Sequence, residues 1–303
     1  MAIKTVTLIG ADGSLGPFVL EALHKANFDV TVLKRKSSKS ESSYPSSVKE
    51  VRTSDDFPES ELENVLQGQD AVVITTNGNL VDIHKRIARA SAKVGVQRLI
   101  PADFGSVDSE SQFSRELVPL YNRKRDFRLF LTELTKENPE FTWTSLVCGH
   151  FFYDQTMDFL HIWPKTHTMD VFENTDVKVS ASTMKQTAKA TVRILEYADK
   201  PETKNEMLFV QSFCNSPVDI KDSLERVTGK EWKFNKLNED EFVAKHKKLM
   251  EEGGKDAAQS TEELVWYLGS MDADWTKRDG FAMKLLDLEE EDVDEVVREA
   301  LHV

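Results

Sequence analysis

The chain has 303 residues, of which 40% are hydrophobic and 30% charged, and a formal net charge of −13. This balance describes a globular protein long enough for one large α/β domain with an appendage, and its acidity argues against general nucleic-acid affinity, which needs cations for phosphates. No apolar run reaches bilayer-spanning length, no Cys, His or acidic spacing suits a metal, and two cysteines, Cys148 and Cys214, fit a reducing compartment rather than a disulfide framework.

The first signal in chain order is Thr5-Val6-Thr7-Leu8-Ile9, an apolar β-branched run ending in Gly10-Ala11-Asp12-Gly13-Ser14-Leu15-Gly16. Phe18, Val19, Leu20, Ala22 and Leu23 then form a helical face. Strand, glycine turn and helix are the setting of a dinucleotide fingerprint. Gly10 allows a tight turn, Gly13 a close approach of pyrophosphate to backbone, and Gly16 close packing of the helix. Free N–H groups at the helix start attract phosphate. With the first strand so near residue 1, no targeting peptide is expected, and a cytoplasmic location follows.

Phe28 to Leu33 reads as the second strand. An NAD site carries an acid after this strand to take the ribose 2′-OH. Here Lys34-Arg35-Lys36 follows, and such cations suit a 2′-phosphate, so NADPH is expected over NADH. Ser37 to Ser47 reads as a surface loop whose hydroxyls, with Lys39, can add phosphate contacts. A short strand at Val48–Val51, a helix at Glu59–Leu66 and a buried strand at Asp70–Thr75 come next. The carboxyl ends of parallel strands face the ligand crevice, which puts Thr76, Asn77 and Gly78 beside the nicotinamide half of the cofactor. A helix at Leu80–Val94 and a strand at Arg98–Ile100 follow. Ser106 to Arg115 reads as an exposed loop, Leu117 to Lys136 as a helix carrying Tyr121-Asn122-Arg123-Lys124-Arg125, and Trp143 to Val147 as a sixth strand.

This alternation predicts a Rossmann-type, doubly wound parallel sheet over residues 1–150. Residues 151–303 are expected to form a smaller α/β substrate lobe, with some segments returning to the sheet. Its signals are a strand edge at Lys178–Ser180, a helix at Met184–Ala198 and a strand at Met207–Val210. Helices follow at Pro217–Thr228 (stopped by Gly229), Glu239–Met250 (broken by Gly253-Gly254), Thr261–Leu268 and Glu289–Leu301. Phe104, Phe151, Phe152 and Tyr153 are candidate walls for a flat aromatic substrate, with His150 at the crevice edge.

The order of these signals resembles the isoflavone reductase-like and phenylcoumaran benzylic ether reductase group of the NmrA-like atypical short-chain dehydrogenases. The resemblance is carried by the glycine turn, Arg35, and Ile100-Pro101-Ala102-Asp103-Phe104-Gly105, which is close to the group's F-x-P-S-E-F-G. A lysine on the following helix and Thr228-Gly229-Lys230-Glu231-Trp232 complete it. Lys34-Arg35 and the compact loops look more like fungal members than plant ones. Three places depart from the plant pattern. Asp12 stands where a threonine is usual, an awkward charge near pyrophosphate unless it caps the helix. Ala102-Asp103 replaces Ser-Glu, and Ser180 to Thr187 lacks an acidic residue common in relatives.

The resemblance implies an NADPH-dependent reductase of a small aromatic metabolite (a ketone, enone, quinone-like ring or benzylic ether), acting as a monomer or homodimer. It implies the helix lysine, here Lys124, as general acid/base and cofactor contact. Desolvation or the neighbouring cations Arg123 and Arg125 would have to lower its pKa from about 10.4. Tyr121, three residues earlier on the same helix face, is a candidate assistant, and His150 a candidate for polarising a carbonyl. An NADP-sensing regulator without catalysis is the alternative. An epimerase holding NAD is disfavoured by the cations after the second strand.

Overall fold

The computed structural model describes residues 2–40 and 43–303, so Glu41 and Ser42 of the serine-rich loop lie outside the described residues. The first half runs β1 (Thr5–Ile9), α1 (Gly16–Lys25), β2 (Asp29–Arg35), β3 (Lys49–Thr53), α2 (Glu59–Leu66), β4 (Ala71–Ile74), α3 (Val81–Val94), β5 (Arg98–Ile100), α4 (Gln112–Leu117), α5 (Pro119–Glu137) and β6 (Thr142–Val147). The second half runs β7 (His150–Phe151), β8 (Ile162–Trp163), β9 (Thr168–Val171), β10 (Val179–Ser182), α6 (Met184–Glu196), β11 (Glu206–Phe209), β12 (Phe213–Asn215), α7 (Pro217–Thr228), β13 (Lys233–Lys236), α8 (Glu239–Glu252), α9 (Ala257–Met271) and α10 (Val293–Leu301).

The main sheet has seven strands in the order β11-β6-β5-β4-β1-β2-β3, all paired in parallel. Its two faces follow from the period-two side-chain alternation. Val6 and Leu8 turn to one face, where Val19 and Leu23 of α1 meet Ala188 and Leu195 of α6. Ile9, Val72 and Ile74 turn to the other, against α2, α3 and α5 through Leu62, Ile87 and Leu131. The strand order reverses between β1 and β4, so a crevice opens at their carboxyl ends, where parallel sheets bind ligands.

Two segments of the second half return to this body: β11 extends the sheet beside β6, and α6 packs on α1. Arg98 fastens the join. Its guanidinium, 1% exposed, donates to Thr142, Thr144 and Thr203 hydroxyls and to the Ala198 carbonyl. Burial without a carboxylate partner pushes it down to about 10. The remaining elements form two small sheets, β12-β10-β7 and β13-β9-β8, packed with α7 and α10 around Phe152, Met169, Leu224 and Val297.

Several expectations are corrected. Ser106–Arg115 is not an exposed loop: Val107, Ser109 and Ser114 are buried, and α4 starts inside it from the Ser111 cap. The long helix is broken at Val118, whose extended backbone lets Pro119 open α5. Lys178–Ser180 marks the central strand of a three-stranded sheet, not an edge. The last helix begins at Val293, where Asp292 caps it.

Candidate active site

A groove of about 750 Å³ runs along the switch point from the end of β2, over the glycine turn, to α5. Gly10 makes the turn possible. Its φ is +100°, and a Cβ there would lie 2.8 Å from Thr75 Oγ1 and 2.9 Å from Thr76 Cγ2. Gly10, Ala11, Asp12, Gly13, Ser14 and Leu15 line the floor. Gly16 does not; it permits contact within the turn, since a Cβ would stand 2.1 Å from the Gly10 carbonyl oxygen. Thr76, Asn77 and Gly78 line the far wall. Thr76 is tied to His84 Nε2 at 2.9 Å, and burial pushes that imidazole down to about 4, so it is neutral.

The basic triplet at the end of β2 divides three ways. Arg35 is exposed and lines the groove. Lys36 is absent from the groove wall; it reaches Glu61 at 3.9 Å and is corrected to a surface residue. Lys34 lines the groove but is only 6% exposed, and its ammonium is committed to the Asp12 carboxylate at 2.8 Å. It also lies 3.2 Å from the Tyr44 hydroxyl and from the Ser40 carbonyl, and 3.6 Å from Glu50. Burial opposes its charge, yet Asp12 and Tyr44 outweigh it and raise its pKa. Asp12 is therefore no helix cap: α1 has no side-chain cap, and the Asp12 carboxylate accepts from Tyr44 at 2.6 Å and from Ser40. Tyr44 and Ser40 had no sequence signal beyond the loop's hydroxyl content.

Lys124 comes off α5 into the opposite end of the groove. Its ammonium donates to the Asp103 carbonyl at 2.7 Å and lies 3.5 Å from the Asp103 carboxylate. Its side chain runs past Gly78 and Gly105, where a Cβ would meet it only at ordinary contact distance, 3.8 and 3.4 Å. Asp103 is buried and bonds Arg128 and Ser145. Burial pushes its carboxyl up, but Arg128 and Lys124 outweigh that and hold it below the usual range. The cations expected to crowd Lys124 turn elsewhere, Arg123 to Asn79 at 3.0 Å and Arg125 to Glu110 at 3.1 Å.

Tyr121 is not brought to the groove. It is 1% exposed, packed with Val107, Val118 and Leu264, and burial beside Asp103 pushes its phenol well above the usual range. The proton-donor assistance expected of it is corrected to a core role. His150 also leaves the groove. It lines a separate, largely apolar cavity of about 100 Å³ with Phe152, Phe172, Phe213 and Trp266. Its Nε2 lies 3.3 Å from the Trp266 carbonyl, which can only accept, so that nitrogen carries the proton. Nδ1 is buried and without a bonded partner, and burial pushes the ring down to about 4. With its one N–H already engaged, His150 cannot polarise a carbonyl as expected. The aromatic candidates divide likewise: Phe104 and Phe151 line the groove, Phe152 the cavity, and Tyr153 a depression near Met184 and Val296. Trp266 and Phe172 reach the cavity from distant segments that sequence reasoning missed.

The sheet, its switch-point groove and the glycine turn define a Rossmann-type α/β protein. The chain belongs to the NmrA-like family, whose sequence profile matches residues 2–278. It is 29% identical over 303 residues to Oxidoreductase aprR of Aspergillus flavus, covering 99% of both chains. Among solved structures, the leucoanthocyanidin reductase–NADPH binary complex from Vitis vinifera superposes with a TM-score of 0.77 at 18% identity, covering 99% of this chain and 100% of that one. AtPrR2 with NADP+ and (+)pinoresinol gives 0.76 at 19% identity and 98% coverage of each.

Proposed function

We propose that this protein is an NADPH-dependent oxidoreductase that reduces a small aromatic metabolite, with Lys124 as the general acid. The observation that carries the reading is a single groove holding a glycine turn at one end and a mostly buried ammonium at the other. The groove's volume suits a dinucleotide-sized ligand. The glycine turn and α1 would take the pyrophosphate, Arg35 the 2′-phosphate, and Thr76, Asn77 and Gly78 the nicotinamide end. The bound nicotinamide would supply the hydride.

Lys124 then delivers a proton to the substrate oxygen where negative charge develops. The Asp103 carbonyl and carboxylate fix the direction of that ammonium. Phe104 and Phe151 on the groove wall offer an apolar face to the substrate's ring. Relatives named as oxidoreductases and neighbours holding NADPH or NADP+ support the reading. Cys148 and Cys214 form no disulfide, in keeping with a cytoplasmic setting, and no described helix is long and apolar enough to cross a membrane.

One observation favours a second reading, an NADP sensor without catalysis: the ion pair with Asp103 gives Lys124 a structural task. Titration of NADPH and NADH, followed by a panel of aromatic ketones, enones, quinones and benzylic ethers, separates the two. NADPH binding with turnover supports the reductase. Binding with no hydride transfer to any member supports the sensor, and no binding of either cofactor ends both readings.

A further inference from the structure

The ion pair between Asp12 and Lys34 bears on which dinucleotide the groove prefers. Asp12 sits in the glycine turn, beside the phosphate-binding start of α1, and its partner Lys34 sits at the end of β2, where the ribose 2′ position is read. A carboxylate at that junction repels a 2′-phosphate dianion. Lys34 is the cation that offsets it, at 2.8 Å, and Glu50 stands 3.6 Å from the same ammonium. Glu50 is paired more closely with Arg52, at 2.6 Å, so Asp12 is the carboxylate that Lys34 chiefly answers. Of the three cations at the end of β2, only Arg35 combines an exposed side chain with a place in the groove wall. Asp12 thus takes up one of the two cations that line the groove, Lys34, and leaves Arg35 to face the 2′ group.

We propose that Asp12 is the specificity-determining residue of the adenosine end: its carboxylate holds the preference for NADPH over NADH small, and Lys34 keeps that preference from reversing. This rests on the reading that a nicotinamide dinucleotide occupies the groove. Opposite and like charges at hydrogen-bond range act on a dianion more than on a neutral hydroxyl, so the effect belongs to the ratio of the two affinities.

The test is calorimetric titration of NADPH and NADH into the wild type, Asp12→Asn, Lys34→Met and the double variant, with thermal melts to confirm folding. Asparagine removes the charge, keeps one acceptor oxygen for Ser40 or Tyr44, and turns its amide N–H2 to the other hydroxyl, which can accept. Asp12→Asn is expected to tighten NADPH by roughly tenfold and to change NADH by less than about threefold. Lys34→Met should shift the ratio the other way by a similar factor, and the double variant should return it toward the wild type. If the carboxylate only latches the loop, both cofactors will change together and the proposal is overturned. If Lys34→Met unfolds, the Asp12→Asn ratio alone decides. A wild type that binds neither cofactor removes the nucleotide reading and this one with it.

Discussion

Lys124 is gripped by a carboxylate and a carbonyl where its sequence neighbours suggested two arginines. Lys124→Ala should lower turnover by roughly 10²–10⁴ with NADPH binding nearly unchanged, the pattern of a lost general acid; steady-state kinetics beside a binding titration checks it. Unchanged turnover would leave Lys124 with its structural task alone. Arg35→Ala should weaken NADPH by on the order of 1.5–3 kcal/mol, the size of one charged hydrogen bond, and NADH far less. Equal losses would argue against 2′-phosphate contact. Residues whose placement depends on local spacing were legible: the glycine turn, Thr76 to Gly78, Arg35 and Lys124 all line one groove. Tyr121 and His150 were not, and neither was the ion pair of Lys34, although Lys34 does line the groove, because their surroundings come from remote segments. Tyr121 meets Leu264, Lys34 meets Asp12, and His150 meets Trp266.

Among elements, the sheet strands and covering helices of the first half fall close to their expected places because each carries its own periodicity. α2 runs over Glu59–Leu66 and α7 over Pro217–Thr228, the very spans read from their helical patterns and end signals. The short strands β7 and β8 had no comparable signal; a two-residue strand has no period, and its existence depends on the partner it pairs with. Packing within the glycine turn gives an element-scale prediction. Gly16→Ala forces a methyl group to 2.1 Å from the Gly10 carbonyl, so the start of α1 must move. A loss of about 2–4 kcal/mol in unfolding free energy is expected, with weakened binding of both cofactors. Urea denaturation measures it, and a midpoint equal to that of the wild type would show that the turn yields freely.

Across the whole molecule, buried histidines give stability two opposite pH dependences. His161 lies between Asp170 and Glu263, each at 2.9 Å, and stacks on Trp266. Burial disfavours its charge, but the two carboxylates outweigh that and raise its pKa. Its contribution is therefore complete below the unfolded value of about 6.5 and is lost as pH rises through the raised folded value. His84 and His150 are buried neutral, pushed down to about 4, so the unfolded chain binds protons first and stability falls as pH drops from about 6.5 toward 4. Thermal melts from pH 4 to 9 should peak near neutrality, and His161→Gln should flatten the alkaline side, with a smaller loss at the acid end where His161 holds the Glu263 carboxyl below the usual range. An alkaline slope that survives in the variant would assign it to another group.

The return of α6 and β11 to the main body has a consequence for the chain as it is made. During synthesis the α1 face, with Val19 and Leu23, has no cover until residues 184–196 have emerged, and the sheet's outer edge at β6 stays open until residues 206–209 follow. For that interval the nascent protein carries a sticky apolar surface and an unpaired strand edge, the two features that recruit chaperones and seed aggregates. A fragment ending at residue 150 would be frozen at that stage, with the α1 face and the β6 edge both uncovered and Phe151 missing from its groove wall.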